Sequence, residues 1–148
     1  GLIKVGEEPK VIEYNVRMGD PETEVVVPRI KSDLLEALDY CTSGRLAEYQ
    51  LEKHADYATT VMVVSEGYPG SYPKGKEITG LQNVENAIVF HAGTKAEGDK
   101  MLTAGGRVMA FTGTGKSKGE ALNRSYGAIK KVCYDGITFR KDIGFDLD

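Results

Sequence analysis

Residues 11–17 alternate in character along the chain, and that alternation limits what the stretch can become. Successive side chains of a strand point to opposite faces, so Glu13, Asn15 and Arg17 would share one face and Tyr14 and Val16 the other. A carboxylate and an amide oxygen at this spacing are hard donors, suited to Mg²⁺ or Mn²⁺ rather than to soft metals. An arginine one step further along can grip a phosphate through parallel hydrogen bonds. Metal donors and a phosphate clamp on one face meet the needs of phosphoryl transfer, whose catalysis is mostly positioning and charge neutralisation. The same spacing also describes a half-exposed strand with its polar side chains turned to water.

Around this stretch the sequence predicts an α+β chain. Residues 1–5 and 10–17 read as a hairpin with Gly6-Glu7-Glu8-Pro9 as its turn. Asp20-Pro21-Glu22 reads as a helix start, with an Asp cap, Pro at the first helical position and an acid in the first turn. A second helix is expected over residues 32–40, with Leu34, Leu35 and Leu38 as its apolar stripe, ending near Ser43-Gly44. From about Tyr57 the texture becomes β-rich, with strands expected at 59–64, 88–91 and 107–112 and Gly/Pro-rich connections between them. A long helix over 117–132 carries Ala121, Leu122, Ser125, Ala128, Ile129 and Val132 at helical spacing, and a last strand follows at 137–140.

Composition narrows the class. With 148 residues, 41% of them hydrophobic, the chain can build one core. A net charge of −3, from 19 basic and 22 acidic residues, gives no nucleic-acid surface. The apolar runs fall far short of a membrane span. Cys41 and Cys133 stand alone, which suits a reducing cytoplasm and argues against a disulfide framework or a zinc site.

Ala110-Phe111-Thr112-Gly113-Thr114-Gly115-Lys116-Ser117 satisfies a loose phosphate-loop pattern between an expected strand and an expected helix. Too little chain follows Ser117 for the further parallel strands and the metal-binding acid that a P-loop nucleotidase needs. The stretch is therefore expected to be a Gly-rich strand-to-helix turn, with Ser117 capping the helix and Lys116 in solvent.

Residues 10–34, beginning Lys10-Val11-Ile12-Glu13-Tyr14-Asn15-Val16-Arg17-Met18-Gly19-Asp20-Pro21-Glu22, closely resemble the glycinamide ribonucleotide synthetases, a family of the ATP-grasp superfamily. The resemblance continues through Gly67-Tyr68-Pro69-Gly70-Ser71-Tyr72-Pro73-Lys74-Gly75-Lys76-Glu77-Ile78-Thr79-Gly80. It goes on through Val89-Phe90-His91-Ala92-Gly93-Thr94, Gly105-Gly106-Arg107-Val108 and Arg140-Lys141-Asp142-Ile143-Gly144, in the family's order. It implies that residues 1–43 are the end of an ATP-grasp domain, antiparallel strands plus helices, and 44–148 a small β-rich carboxy-terminal domain with one long helix. It also implies that a substrate domain and most of the ATP-grasp fold belong before Gly1, so that this piece alone would be inactive.

The implied reaction is ATP-dependent ligation of glycine to 5-phosphoribosylamine in purine biosynthesis, in the cytoplasm. By the same resemblance Glu13 and Asn15 hold Mg²⁺ or Mn²⁺, Arg17 is catalytic, and Ile12 lies near the nucleotide. Gly19, Asp20, Pro21 and Glu22 sit beside the amino-acid substrate, where Asp20 and Glu22 could hold its ammonium or serve only as helix-start chemistry. Lys74, Lys76, Arg107 and Arg140 are candidates to attract the substrate phosphate, and the long 67–75 loop is expected to border the cleft. His91 reads as a hydrogen-bonded structural residue and His54 as a solvated one. Two other readings stay open. One is a different ATP-grasp carboxylate–amine ligase or carboxylase, which would share the Glu-x-Asn-x-Arg pattern but not the 67–80 and 140–144 segments. The other is a non-catalytic interaction or lid domain.

Overall fold

The computed structural model describes residues 1–19 and 21–147. Strands β1 (Leu2–Val5) and β2 (Glu8–Val11) form an antiparallel hairpin in which Leu2 pairs with Val11 and Val5 with Glu8. Its two-residue turn opens on Gly6 at φ +62°, the left-handed conformation that tight hairpins demand. The expected strand through Arg17 is not formed, because β2 ends at Val11. Past Val11 the two ends stay joined through Gly1, which accepts from the Ile12 amide at 2.9 Å and donates its amino group to the Glu13 carbonyl at 2.6 Å.

Helix α1 (Thr23–Val26) is a single turn that begins after Glu22, so Pro21 precedes the helix rather than opening it. Asp20, expected as the cap, lies outside the described residues. A 3-10 turn, Val27–Arg29, follows directly. Helix α2 (Leu34–Thr42) starts two residues later than expected because Asp33 caps it, accepting from the Leu35 and Glu36 amides. Its anticipated apolar stripe is not buried among the described residues, and Leu35 is 76% exposed.

The β-rich part takes shape as expected, with additions. Strands β3 (Tyr57–Ser65), β5 (Ala87–His91), β8 (Arg107–Gly115) and β9 (Ile137–Phe139) form an antiparallel sheet in the order β5-β8-β3-β9. A second sheet, unforeseen, joins β4 (Glu77–Ile78), β7 (Lys100–Thr103) and β6 (Thr94–Glu97). These strands are short and mostly exposed, so they carry little of the apolar alternation that announces a strand. Helix α3 (Lys118–Ile129), capped by Ser117, covers one face of the larger sheet. Its buried Ala128 and Ile129 join Val61, Val63, Met109 and Phe111 in the core.

The phosphate-loop look-alike has a packing explanation. A Cβ on Gly113 would come within 2.7 Å of the Ser125 amide nitrogen, and one on Gly115 within 2.8 Å of Glu120 Cβ. These glycines let α3 lie close on β8, which runs antiparallel to both its neighbours. Lys116 reaches Asp56 instead of a phosphate cradle.

The other sheet face carries Thr60, Met62, Ala110 and Thr112, and α1 rests on it, with the Thr112 hydroxyl donating to the Glu24 carbonyl at 3.0 Å. The β3–β8 register shifts between Val63 and Val64, whose partners are Met109 and Arg107, so Val108 is skipped. That extra residue reverses the alternation and moves Arg107 onto the Val64 face, away from the helix.

Candidate functional site

Although they lie beyond the strand, Glu13, Asn15 and Arg17 line one cleft of about 630 Å³, together with Met18, Gly19 and Glu22. The Asn15 amide donates to Glu13 Oε1 at 2.9 Å, which leaves Glu13 Oε2 and Asn15 Oδ1 as oxygen acceptors. Arg17 Nη1 donates to the Met18 carbonyl at 3.2 Å. All three side chains are exposed. No group of three or more His, Cys, Asp or Glu side chains suited to a metal occurs among the described residues. Any ion here would draw on this oxygen pair and on a ligand's own oxygens. Ile12 is 63% exposed and stands beside the cleft rather than in its wall. Glu22 braces the turn, its Oε1 accepting from the Gly19 amide at 2.7 Å.

Met18 and Gly19 also line a second hollow, of about 510 Å³. Thr23 and Glu24 stand on its near side, and Tyr68, Gly93, Gly106 and Arg107 on the other. Met62, Tyr68 and Arg107 are shared in turn with a third hollow, of about 530 Å³, where Pro21, Phe139, Arg140 and Ile143 complete the wall. The three hollows thus share walls from Glu13 to Arg140.

Of the expected cations, Arg107 and Arg140 therefore line one hollow. Arg140 is held by Asp142 through bonds of 2.9 and 2.8 Å, and the guanidinium keeps the Asp142 carboxyl below its ordinary range. The two lysines go elsewhere. Lys74 sits 5.8 Å from the centre of the Tyr72 ring, and Lys76 pairs with Asp135 at 2.6 Å, on β4's side of the molecule. Neither lysine lines the three hollows, so of the four candidate cations the structure brings Arg107 and Arg140 together. His91 bonds Thr94 Oγ1 at 3.0 Å within its own turn, and His54 is exposed.

Tyr68, Gly93 and Gly106 are not among the residues expected at the site, although the 67–75 loop is expected to border the cleft. Tyr68 is how that loop reaches it. A Cβ on Gly106 would collide with the Tyr68 ring and lie 2.9 Å from Tyr72, so the ring rests directly on the backbone there. A Cβ on Gly93 would lie 2.6 Å from Gly105 Cα, a second backbone contact that only glycines allow. The Gly105-Gly106 doublet was the available signal.

The family model "Phosphoribosylglycinamide synthetase, C domain" matches residues 58–146. The phosphoribosylamine–glycine ligase of Caldanaerobacter subterraneus subsp. tengcongensis is 44% identical over 143 residues, covering 97% of this chain and 34% of the relative. The bifunctional purine biosynthetic protein PUR2,5 of Pichia angusta is 47% identical over 138 residues, covering 92% of this chain and 18% of its own length. A crystal structure of phosphoribosylamine–glycine ligase from Thermotoga maritima superposes with a TM-score of 0.77 at 36% identity, over 96% of this chain and 35% of that one. The chain spans about a third of the length of the single-function ligases it matches. With its antiparallel sheets, its covering helix and its ordered motifs, this chain belongs to the phosphoribosylglycinamide synthetase family and carries that family's C domain.

Proposed function

We propose that this chain is the carboxy-terminal part of a cytoplasmic phosphoribosylamine–glycine ligase, which joins glycine to 5-phosphoribosylamine at the expense of ATP. Residues 1–43 complete an ATP-grasp domain supplied mainly by the preceding part of the enzyme, and 44–148 form the carboxy-terminal domain. The observation that carries this reading is the shared wall: the cleft of Glu13, Asn15 and Arg17 adjoins the hollow of Arg107 and Arg140.

The glycine carboxylate attacks the γ-phosphate of ATP, giving glycyl phosphate and ADP. The amine of phosphoribosylamine then attacks the acyl carbon and phosphate leaves, giving glycinamide ribonucleotide. Arg17, a planar two-point donor, neutralises charge on the phosphoryl group as it moves. Glu13 Oε2 and Asn15 Oδ1 are the oxygens to hold Mg²⁺ or Mn²⁺. When bound, that ion offsets the negative charge of the nucleotide phosphates. Ile12 lies toward the nucleotide. Gly19, Pro21 and Glu22 border the amino-acid end, and Arg107 and Arg140 attract the ribose phosphate at the far end of the groove.

The test joins this chain to the preceding segment of the Caldanaerobacter ligase. The fusion should turn over ATP continuously, with one ADP per glycinamide ribonucleotide, only when both glycine and phosphoribosylamine are present, whereas the 148-residue chain alone should not. A soluble, folded fusion without that turnover, or turnover by the purified chain alone, contradicts the reading.

A further inference from the structure

Helix α1 has no fully buried residue and only Val25 of its apolar side chains is partly covered, so apolar packing holds it loosely on the sheet. A polar contact does that work. In a continuing helix the Glu24 carbonyl would accept from the amide four residues on, but that residue is Pro28, which has no N–H. The Thr112 hydroxyl takes the vacant place, donating to Glu24 O at 3.0 Å. Thr112 is fully buried and paired on both sides, with Thr60 on β3 and Ile88 on β5, so the central strand holds it in place. The Thr60 hydroxyl lies 2.9 Å away. A hydroxyl has one proton, so the Thr60 oxygen is a second acceptor within reach of the Thr112 hydroxyl, beside the Glu24 carbonyl.

What hangs on this tether is a wall of the groove. Thr23 and Glu24 of α1, with Met18 and Gly19 just before, face Tyr68, Gly106 and Arg107 across the middle hollow. The opposite wall belongs to the same sheet, since Arg107 opens β8 and Gly106 O accepts from the Ser65 amide at the end of β3. The distance between the walls therefore depends on how α1 is held to β8. We propose that Thr112 is a positioning residue that sets the width of this hollow and thereby the affinity of the ligase for its amino-acid substrate. The proposal rests on the ligase reading above.

In the fusion enzyme, Thr112→Val keeps the shape of the side chain and removes the donor. Its KM for glycine should rise about tenfold while kcat and the KM for ATP stay within about threefold, the signature of a binding wall displaced. Thr112→Ser, which keeps the hydroxyl, should stay within about twofold of wild type. Adding Pro28→Ala to Thr112→Val gives Glu24 O a donor within the helix but no bond to β8, so the glycine KM should stay raised; full recovery overturns the proposal. In the 148-residue chain, amide exchange across residues 23–27 should be faster for Thr112→Val than for Thr112→Ser. A folded Thr112→Val enzyme with unchanged glycine KM, or a Ser variant as impaired as the Val variant, overturns the proposal. If Thr112→Val does not fold, Thr112→Ala decides, since it also removes the donor: it must raise the glycine KM, and no change overturns the proposal. A wild-type fusion without ligase activity counts against the ligase reading alone, and the exchange comparison then decides the tether.

Discussion

The Asn15 side chain donates to Glu13 Oε1 at 2.9 Å, so the amide and the carboxylate that were expected to act together are already joined. The bond orients Asn15 Oδ1 and Glu13 Oε2 as the remaining acceptors of the pair. If the pair serves a transferring phosphate, Glu13→Gln should lower kcat of the complete enzyme far more than it weakens glycine binding. It leaves size and polarity nearly unchanged and removes one negative charge. Steady-state kinetics of the fusion enzyme check this, and a Glu13→Gln variant with near-normal kcat removes Glu13 from the site. Without nucleotide, Mg²⁺ binding to the 148-residue chain should be in the millimolar range or weaker, because two protein oxygens are well short of an octahedral shell of about six. Titration calorimetry reads it directly.

Gly106 should tolerate no side chain. A methyl group there collides with Tyr68 and stands 2.9 Å from Tyr72, and both rings sit on one loop. Gly106→Ala should therefore cost about 1–3 kcal/mol, the usual range for overpacking. It should also raise the KM for phosphoribosylamine more than that for ATP, since Tyr68 lines the hollows on the Arg107 side. Thermal unfolding and the two KM values check the two parts. A variant with unchanged values in both would mean that the loop can move aside freely.

The sequence was most informative where burial is one-sided and pairing partners lie within the chain. Val61 and Val63 on β3 and Met109 and Phe111 on β8 are fully apolar in character, and their strands came out near the expected bounds. Of the residues expected at helical spacing, Ala121, Ser125, Ala128 and Ile129 are buried on α3, whereas Leu122 is only partly covered and the buried Val132 lies beyond the helix, which ends at Ile129 and not at 132. It was least informative where a contact decides between conformations of similar local preference. Nothing local says that β2 stops at Val11, because Glu13, Asn15 and Arg17 keep the alternation of a strand beyond it. Nothing local says that Arg107 faces the groove, because its side of the sheet is set by the register shift at Val108. Lys74 and Lys76 looked equivalent to Arg107 as cations, yet Tyr72 and Asp135, distant in sequence or turned by the loop, drew them elsewhere.

Tyr134 predicts an alkaline limit to stability. Its hydroxyl donates to the Val64 carbonyl at 2.9 Å, and burial pushes the phenol well above its ordinary value of 10.0. The raised group contributes its stability in full below pH 10, where the unfolded phenol is also neutral, and loses it as pH climbs above that value. Tyr134→Phe removes the titration, so its stability should fall less steeply above pH 10 than that of wild type. At neutral pH the same variant should be less stable by about 1 kcal/mol, because the Val64 carbonyl loses a donor. Urea unfolding at neutral and alkaline pH checks both signs. Parallel pH profiles for the two proteins would show that another group sets the alkaline limit.

Arg17 and Lys116 separate the two places where a nucleotide phosphate could sit. Arg17 lies in the cleft with Glu13 and Asn15, whereas Lys116 follows β8 and pairs with Asp56, with 83% of its side chain exposed. Arg17→Lys keeps a positive charge and loses the planar pair of donors. If Arg17 stabilises charge that develops on the moving phosphoryl group, the rate should fall about tenfold or more, equivalent to about 1.4 kcal/mol of transition-state stabilisation. Lys116→Ala breaks only an exposed ion pair and should leave kcat/KM for ATP within about twofold. Both variants are to be assayed in the fusion enzyme under the same salt conditions, since exposed charges are screened. If Lys116→Ala abolishes ATP turnover while Arg17→Lys is silent, the phosphates sit on the turn between β8 and α3, and the site assigned to the Glu13 cleft is wrong.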